Sequence, residues 1–216
     1  MAVTTVMLVD DHALVRAGLR RILEAGGLQV IAEAKSGEEA LSFARECLPD
    51  VVLMDINMPG MGGLETTKRL TQHYPGLKVL AVSMHLREPY PSQILGAGAV
   101  CYLSKDCPAE EVLNAVKQVA AGRRYITAEV AGNLAASLLT TGTESPFSSL
   151  SQREMQVVMM VLGGNNVRQI SDQLHLSPKT VSTYRYRLFE KLGVGNDVEL
   201  TKMAIRHGLL DDQKKP

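Results

Sequence analysis

Apolar and polar positions follow two rhythms along the chain, and the change of rhythm divides it. In the first part, short apolar runs alternate with segments whose apolar residues recur every three or four positions. The runs are Val3 to Val9, Leu28 to Ala32, Val51 to Met54, Leu77 to Ser83 and Ala99 to Lys105. Runs this short and rich in Val read as strands covered on both faces, the pattern of a parallel sheet. Between them, Val15, Leu19, Ile22 and Leu23 mark one helical face. Ser36-Gly37-Glu38-Glu39 is a capping-box pattern that opens a second helix packed through Ala40, Leu41, Ala44 and Leu48. A third helix follows Gly62-Gly63, a fourth is weakened by Pro89 and Pro91, and a fifth opens at Pro108 with Val112, Val116, Val119 and Ala120 on one face. Five such units predict a five-stranded parallel sheet between helices, about 120 residues in all.

The second part has no strand pattern. Val130, Leu134 and Leu138 are spaced by four and predict a helix from Thr127 to Leu139, and the polar stretch Thr140 to Ser149 reads as a linker. Ser151-Gln152-Arg153-Glu154 is a second capping box, leading a helix with Met155, Val158, Met159 and Leu162 that stops at Gly163-Gly164. Val167, Ile170, Ser171 and Leu174 define a short helix. Ser177 caps and Pro178 begins a longer one, and Asp197 to His207 forms the last, ending at Gly208. This predicts a separate, all-helical domain of four helices.

Charge separates the parts as well. Residues 1–144 carry 13 Lys and Arg against 16 Asp and Glu, whereas residues 145–216 carry 10 against 7, so a slightly acidic region precedes a slightly basic one. The basic sign of the second hints at an anionic partner. Cys47, Cys101 and Cys107 lack metal-ligand spacing and read as reduced, intracellular thiols. No apolar run approaches membrane-spanning length and no signal pattern opens the chain, so the expectation is a cytoplasmic protein without membrane contact.

Chemistry concentrates at the strand ends. Asp10 and Asp11 end the first strand, Asp55 the third, Ser83 the fourth and Lys105 the fifth, and in an open α/β sheet that edge is where ligands bind. Any one of these residues alone has a plainer reading, as a helix cap, a satisfied hydroxyl or a solvated ammonium. Their joint placement reverses the preference. Three crowded carboxylates call for a cation, and oxygen ligands select a hard one such as Mg²⁺. A carboxylate nucleophile beside a divalent cation, a hydroxyl and an ammonium makes a site for a phosphoryl group.

Val9-Asp10-Asp11, Leu53-Met54-Asp55-Ile56-Asn57-Met58-Pro59-Gly60, Ser83 and Tyr102-Leu103-Ser104-Lys105 resemble the receiver domain of two-component response regulators, a flavodoxin-like (βα)5 fold, over residues 1–123. The resemblance implies that Asp55 is the phosphoacceptor and that Asp10, Asp11, Asp55 and the Asn57 carbonyl hold Mg²⁺. It further implies that Ser83 is the switch hydroxyl, Tyr102 the switch aromatic and Lys105 the counter-charge to phosphate. Asn57 and His85 match positions that tune phosphoryl lifetime in similar receivers.

In the helix that starts at Pro178, Val181, Leu188 and Leu192 share one side, while Lys179, Thr183 and Tyr186 lie opposite, flanked by Ser182 and Arg187. With Thr180 and Arg185 these side chains suit a DNA major groove and its phosphates. Leu150-Ser151-Gln152-Arg153-Glu154, Ile170-Ser171-Asp172-Gln173-Leu174, Leu176-Ser177-Pro178-Lys179-Thr180-Val181 and Lys191-Leu192-Gly193-Val194 resemble the LuxR-type helix-turn-helix domain, here residues 148–212, with a helix-containing linker at 124–147. Receiver plus this domain resembles the NarL/FixJ class and looks closest to the GacA/UvrY group. That resemblance implies a non-enzymatic transcription regulator, phosphorylated by a sensor histidine kinase and active as a homodimer on inverted-repeat DNA. It also implies activation of small regulatory RNA genes. Two other readings differ in class. A carboxylate-nucleophile phosphohydrolase wants a second acid where Asn57 stands, and an interaction adaptor without DNA binding is opposed by Lys179, Arg185 and Arg187.

Overall fold

The computed structural model describes residues 3–86, 89–139, 145–174, 176–207 and 209–210. They form two compact units, an α/β unit up to Leu134 and a helical unit from Ala135 onward. The first alternates β1 (Thr5–Val9), α1 (Ala13–Ala25), β2 (Gln29–Ala34), α2 (Gly37–Glu46), β3 (Val51–Asp55) and α3 (Gly62–His73). It continues with β4 (Lys78–Ser83), α4 (Tyr90–Gly96), β5 (Cys101–Ser104), α5 (Ala109–Ala120), β6 (Tyr125–Ile126) and the first part of α6 (Ala128–Leu139), whose residues from Ala135 belong to the second unit.

The sheet is parallel in the order β2-β1-β3-β4-β5-β6. It therefore holds six strands where the sequence pattern predicts five. The extra strand is two residues at the edge, held by pairing of Tyr125 and Ile126 with β5, too short for an apolar run to announce it. Every residue of β3 is buried. Apolar side chains leave the sheet on both faces, toward Leu23, Val112, Val116 and Val119 of α1 and α5 on one side and toward Ala40, Ala44 and Leu70 of α2 and α3 on the other. Burial on both faces is why the strands read as unbroken apolar runs.

Local signals account for most helix ends. Ser36 caps α2 by accepting from the Glu39 N–H at 3.2 Å, while the Glu39 carboxylate turns back to the Lys35 N–H. Leu48 does not pack with α2, as its spacing suggests. The helix ends at Glu46, Cys47 is extended, and Leu48, which precedes Pro49 and so avoids helical geometry, is exposed. Pro91 falls in the first turn of α4, where its missing N–H costs nothing, and the helix still forms. Burial pushes the Cys101 thiol up to about 12, with Cys107 and Glu111 adding to the effect, so it stays protonated.

The helical unit holds a 3-10 turn at Pro146–Ser149, then α7 (Gln152–Leu162), α8 (Val167–Leu174), α9 (Pro178–Leu192) and α10 (Asp197–Arg206). Phe147, inside the stretch that reads as linker, is fully buried and meets the His207 ring edge-on. On α7 the buried stripe runs through Met155, Val157, Val158 and Val161, leaving Met159 and Leu162 half-buried. The rest of the expected linker, Thr140 to Glu144, and the expected stop at Gly208 lie outside the described residues. Among the described residues no helix is long and apolar enough to cross a membrane.

The start of α3 is pressed against the end of β3. A Cβ on Gly63 would sit 2.0 Å from the Asp55 carbonyl oxygen and 2.7 Å from the Ile56 Cα. Both neighbours are backbone, so the clash can be relieved only by moving backbone, at the β3 end or at the α3 start. Gly63→Ala is expected to destabilise the α/β unit by about 2 kcal/mol, in the range of overpacked cores, and to shift its urea midpoint down. An unchanged midpoint would show that the turn yields freely.

Candidate functional site

Because the strand order places β1, β3, β4 and β5 side by side, their carboxyl ends share one edge. Asp55 ends β3 and Ser83 ends β4, with Ser83 in register with Ser104 and its carbonyl accepting from the Lys105 N–H at 2.9 Å. Asp10, Asp55 and Ser83 are all buried there. The edge also lies at the point where the chain reverses direction across the sheet, between β1 and β3, where crevices open in such folds.

The Lys105 ammonium joins two of the acids. Its Nζ lies 2.8 Å from Asp10 Oδ2 and 2.7 Å from Asp55 Oδ2. The other Asp55 oxygen, Oδ1, accepts from the Asn57 N–H at 3.1 Å, and Asp10 Oδ1 accepts from the His12 N–H at 2.8 Å. Arg16 donates to the Asp10 carbonyl at 2.6 Å and so fixes the loop after β1. Burial lifts the Asp55 carboxyl above its ordinary pKa, and the bond and charge of Lys105 offset only part of that. Burial also disfavours the Lys105 ammonium, but its bonds to Asp10 and Asp55 outweigh it and raise its pKa. The ammonium therefore stays charged.

Asp11 completes the acidic group. Its Oδ1 is buried and accepts no hydrogen bond, and the His12 ring lies alongside with Nδ1 at 2.9 Å. One ligand atom each from Asp10, Asp11, His12 and Asp55 falls within a 4.8 Å cluster. Three carboxylates with one ammonium leave the pocket negative, and their clustered oxygens fit a bound cation. His12 was not singled out by spacing arguments, although it directly follows the two acids.

The loop after β4 ties the edge to the interior. Ser83 Oγ accepts from the His85 N–H at 3.0 Å. Tyr102 is completely buried, and its hydroxyl donates to the His85 carbonyl. The His85 ring stacks on Tyr90 at 4.9 Å, and its burial lowers the imidazole pKa, favouring the neutral ring.

In the helical unit, Ser177 caps α9 by accepting from the Thr180 N–H at 3.1 Å, and Gly193 ends it in the left-handed conformation at φ 65°. Val181, Leu188 and Leu192 are buried, while Lys179, Ser182, Thr183, Tyr186 and Arg187 are exposed, Tyr186 to 70%. The hydroxyls of Ser182 and Thr183 donate to carbonyls one turn back, at Pro178 and Lys179, and Thr180 bonds Ser177. Arg185 is held back from solvent. Its Nη2 lies 2.6 Å from Asp197 at the start of α10, and its guanidinium covers the Phe189 ring. On α10, Leu200 and Ala204 pack inward, leaving Val198 and Ile205 outward.

Glu154 fixes α9 from behind. Its Oε2 accepts from the Ser151 N–H and hydroxyl at 2.8 Å and from Lys191 Nζ at 2.7 Å, so one buried carboxylate caps α7 and clamps the end of α9. Burial alone would raise its pKa, but the Lys191 and Ser151 bonds prevail and lower it below 4.5. A depressed carboxylate contributes stability that is complete above its unfolded value and lost as pH falls through the folded one. The helical unit is therefore expected to lose stability on acidification below about pH 4.5, and Glu154→Gln to cost about 2 kcal/mol at pH 7 and to flatten that acid dependence. Chemical denaturation at pH 7 and at pH 3 checks both; an equal acid loss in the variant would contradict the assignment.

Comparison with known proteins agrees with this division. A response regulator receiver domain model matches residues 6–117, and a model of the bacterial regulatory proteins of the luxR family matches residues 148–204. Response regulator GacA of Pseudomonas protegens is 50% identical over 95% of this chain and 97% of its own. Response regulator UvrY of Escherichia coli K12 is 50% identical over 94% of each. The crystal structure of response regulator ChrA, from a heme-sensing two-component system, superposes with a TM-score of 0.54 at 33% identity, covering 97% of this chain and all of that one. With two domain models in the order that the fold displays and relatives matched end to end, the chain belongs to the two-component response regulators that join a receiver to a LuxR-type DNA-binding domain.

Proposed function

We propose that Asp55 is the phosphoacceptor of a cytoplasmic, phosphorylation-controlled transcription regulator, charged by a sensor histidine kinase. The observation that carries this reading is the state of the Asp55 carboxylate. It is buried, gripped by the Asn57 N–H on one oxygen and by Lys105 on the other, and flanked by two further acids. An Asp55 oxygen forms the new O–P bond as the P–N bond of a phosphohistidine breaks, and the bonding electron pair stays on the departing imidazole nitrogen, which takes up a proton. Lys105 then faces the phosphoryl oxygens in place of the free carboxylate. Asp10, Asp11, Asp55 and the Asn57 carbonyl would hold Mg²⁺, which supplies charge neutralisation for the transferring phosphoryl group. Ser83 donates its hydroxyl to a phosphoryl oxygen, and Tyr102 holds the loop that moves with it. Asn57 offers no second acid to activate water, which favours a retained acyl phosphate.

The output is DNA binding by α9. Lys179, Thr180, Ser182, Thr183, Tyr186 and Arg187 meet the major groove and its phosphates, with Arg185 holding the helix against Asp197 and reaching DNA only if it leaves that pair. Val198 and Ile205, outward on α10, suit a homodimer that places two copies of α9 on an inverted repeat. By likeness to the GacA and UvrY relatives, the targets are genes of small regulatory RNAs, which the regulator activates.

Duplex DNA selected from a random pool by the wild-type chain is the direct probe. Acetyl phosphate with Mg²⁺ is expected to tighten its binding at least tenfold, and Asp55→Asn to abolish that response. Lys179→Ala is expected to weaken binding and to lower the salt slope by about 1, the mark of one lost phosphate contact. Wild-type affinity that ignores the phosphodonor would defeat the switch, and an unchanged slope would remove Lys179 from the phosphate contacts.

A further inference from the structure

The loop Met84 to Leu86 is fastened from three directions. The His85 N–H is held by Ser83, the His85 carbonyl by Tyr102, and the next carbonyl, that of Leu86, accepts from Asn133 Nδ2 at 3.0 Å. Asn133 stands in the second turn of α6, 47 residues along the chain from its partner. The start of α6 is anchored separately. Val130 is fully buried, so Asn133 lies one turn beyond a fixed point. Toward its other end, the same helix enters the stretch that leads to the helical unit.

We infer that Asn133 is a positioning residue that couples the phosphoryl site to the linker helix, an inference that rests on the roles proposed above for Asp55 and Ser83. Ser83 Oγ already accepts from the His85 N–H, so when its hydroxyl donates to a phosphoryl oxygen one atom is bonded both to the phosphoryl group and to the loop. A shift of Ser83 toward the phosphoryl group is therefore passed to His85. The peptide plane between His85 and Leu86 carries the His85 carbonyl and the Leu86 N–H, and the Leu86 carbonyl follows one residue on, so a displacement of His85 reaches the Asn133 contact through Leu86 alone. A hydrogen bond tolerates a few tenths of an ångström before it weakens. The Asn133 bond then either breaks, freeing α6 beyond Val130, or swings α6 with the loop. In both cases the covalent state of Asp55 is read by the helix that continues toward the DNA-binding unit, through a contact of the amide side chain rather than through the sheet.

The test uses the full chain, acetyl phosphate with Mg²⁺, and the selected duplex. Phosphorylation is followed by intact mass and DNA affinity is measured with and without the phosphodonor, for wild type, Asn133→Leu and Asn133→Gln. Asn133→Leu is expected to accept phosphoryl to the wild-type extent while the ratio of the two affinities moves toward 1 by about threefold or more, the size of one hydrogen bond. Asn133→Gln, which keeps the donor on a longer stem, is expected to restore most of the ratio. Hydrogen exchange in wild type is expected to change over residues 128–135 on phosphorylation, a reading independent of any variant's folding. An unchanged affinity ratio in Asn133→Leu, or unchanged exchange in that segment of a phosphorylated wild-type chain, overturns the coupling. If wild type gains phosphoryl but no affinity, the switch reading fails first, and the coupling falls with it.

Discussion

Two buried carboxylates that converge on one ammonium set the terms for the rest of the α/β unit. Asp10 and Asp55 end neighbouring strands, and without Lys105 between them their charges would repel across a pocket from which water is largely excluded. Holding all three together requires β1, β3 and β5 to stop at one level, which the parallel register does. It also requires the α3 start to press against the β3 end, where Gly63 leaves room for the Asp55 backbone. Lys105 does not neutralise the pocket, because Asp11 adds a third acid whose buried oxygen lacks a hydrogen bond. The remaining negative charge is what suits the pocket to a divalent cation, and a dianionic phosphoryl group on Asp55 would give both the cation and Lys105 a stronger partner than a lone carboxylate.

A series of hydrogen bonds also leads away from the same edge. Ser83, His85 and Tyr102 form one connected set of hydrogen bonds that begins at the pocket, and Leu86 hands it to α6. Small displacements in a packed interior tend to be passed on rather than absorbed. In the helical unit, Glu154 with Lys191 and Arg185 with Asp197 tie α9 to α7 and α10.

Much of this was legible in the sequence because the central strands are buried on both faces and the caps of α2, α7, α9 and α10 are written in their own residues. Asp10, Asp11, Asp55, Ser83 and Lys105 could be placed at one edge from the ends of apolar runs alone. Other features escaped for physical reasons. The two-residue β6 has no periodicity, and Leu48 has the spacing of α2 but precedes a proline that turns it outward. Phe147 is a lone aromatic in a polar stretch, and its role depends on a contact with His207, 60 positions away and invisible to local patterns. Arg185 shows the limit most clearly. Its charge and position fit a DNA contact, yet its guanidinium is engaged by Asp197 of α10, which only the fold brings near, and covers Phe189 one turn along its own helix. Asn133 carried no signal at all, since an amide on a helix is ordinary until its partner is known.

The central claim is that Asp55, among three acids within one pocket, takes the phosphoryl group. Borohydride reduction of the chain after treatment with acetyl phosphate and Mg²⁺, followed by peptide mapping, tests it most directly, because hydride cleaves an acyl phosphate and leaves the reduced alcohol at the modified position. Homoserine is expected at position 55, with Asp10 and Asp11 unaltered. Reduction at position 10 or 11, or at none of the three in a chain that has gained phosphoryl mass, would contradict it.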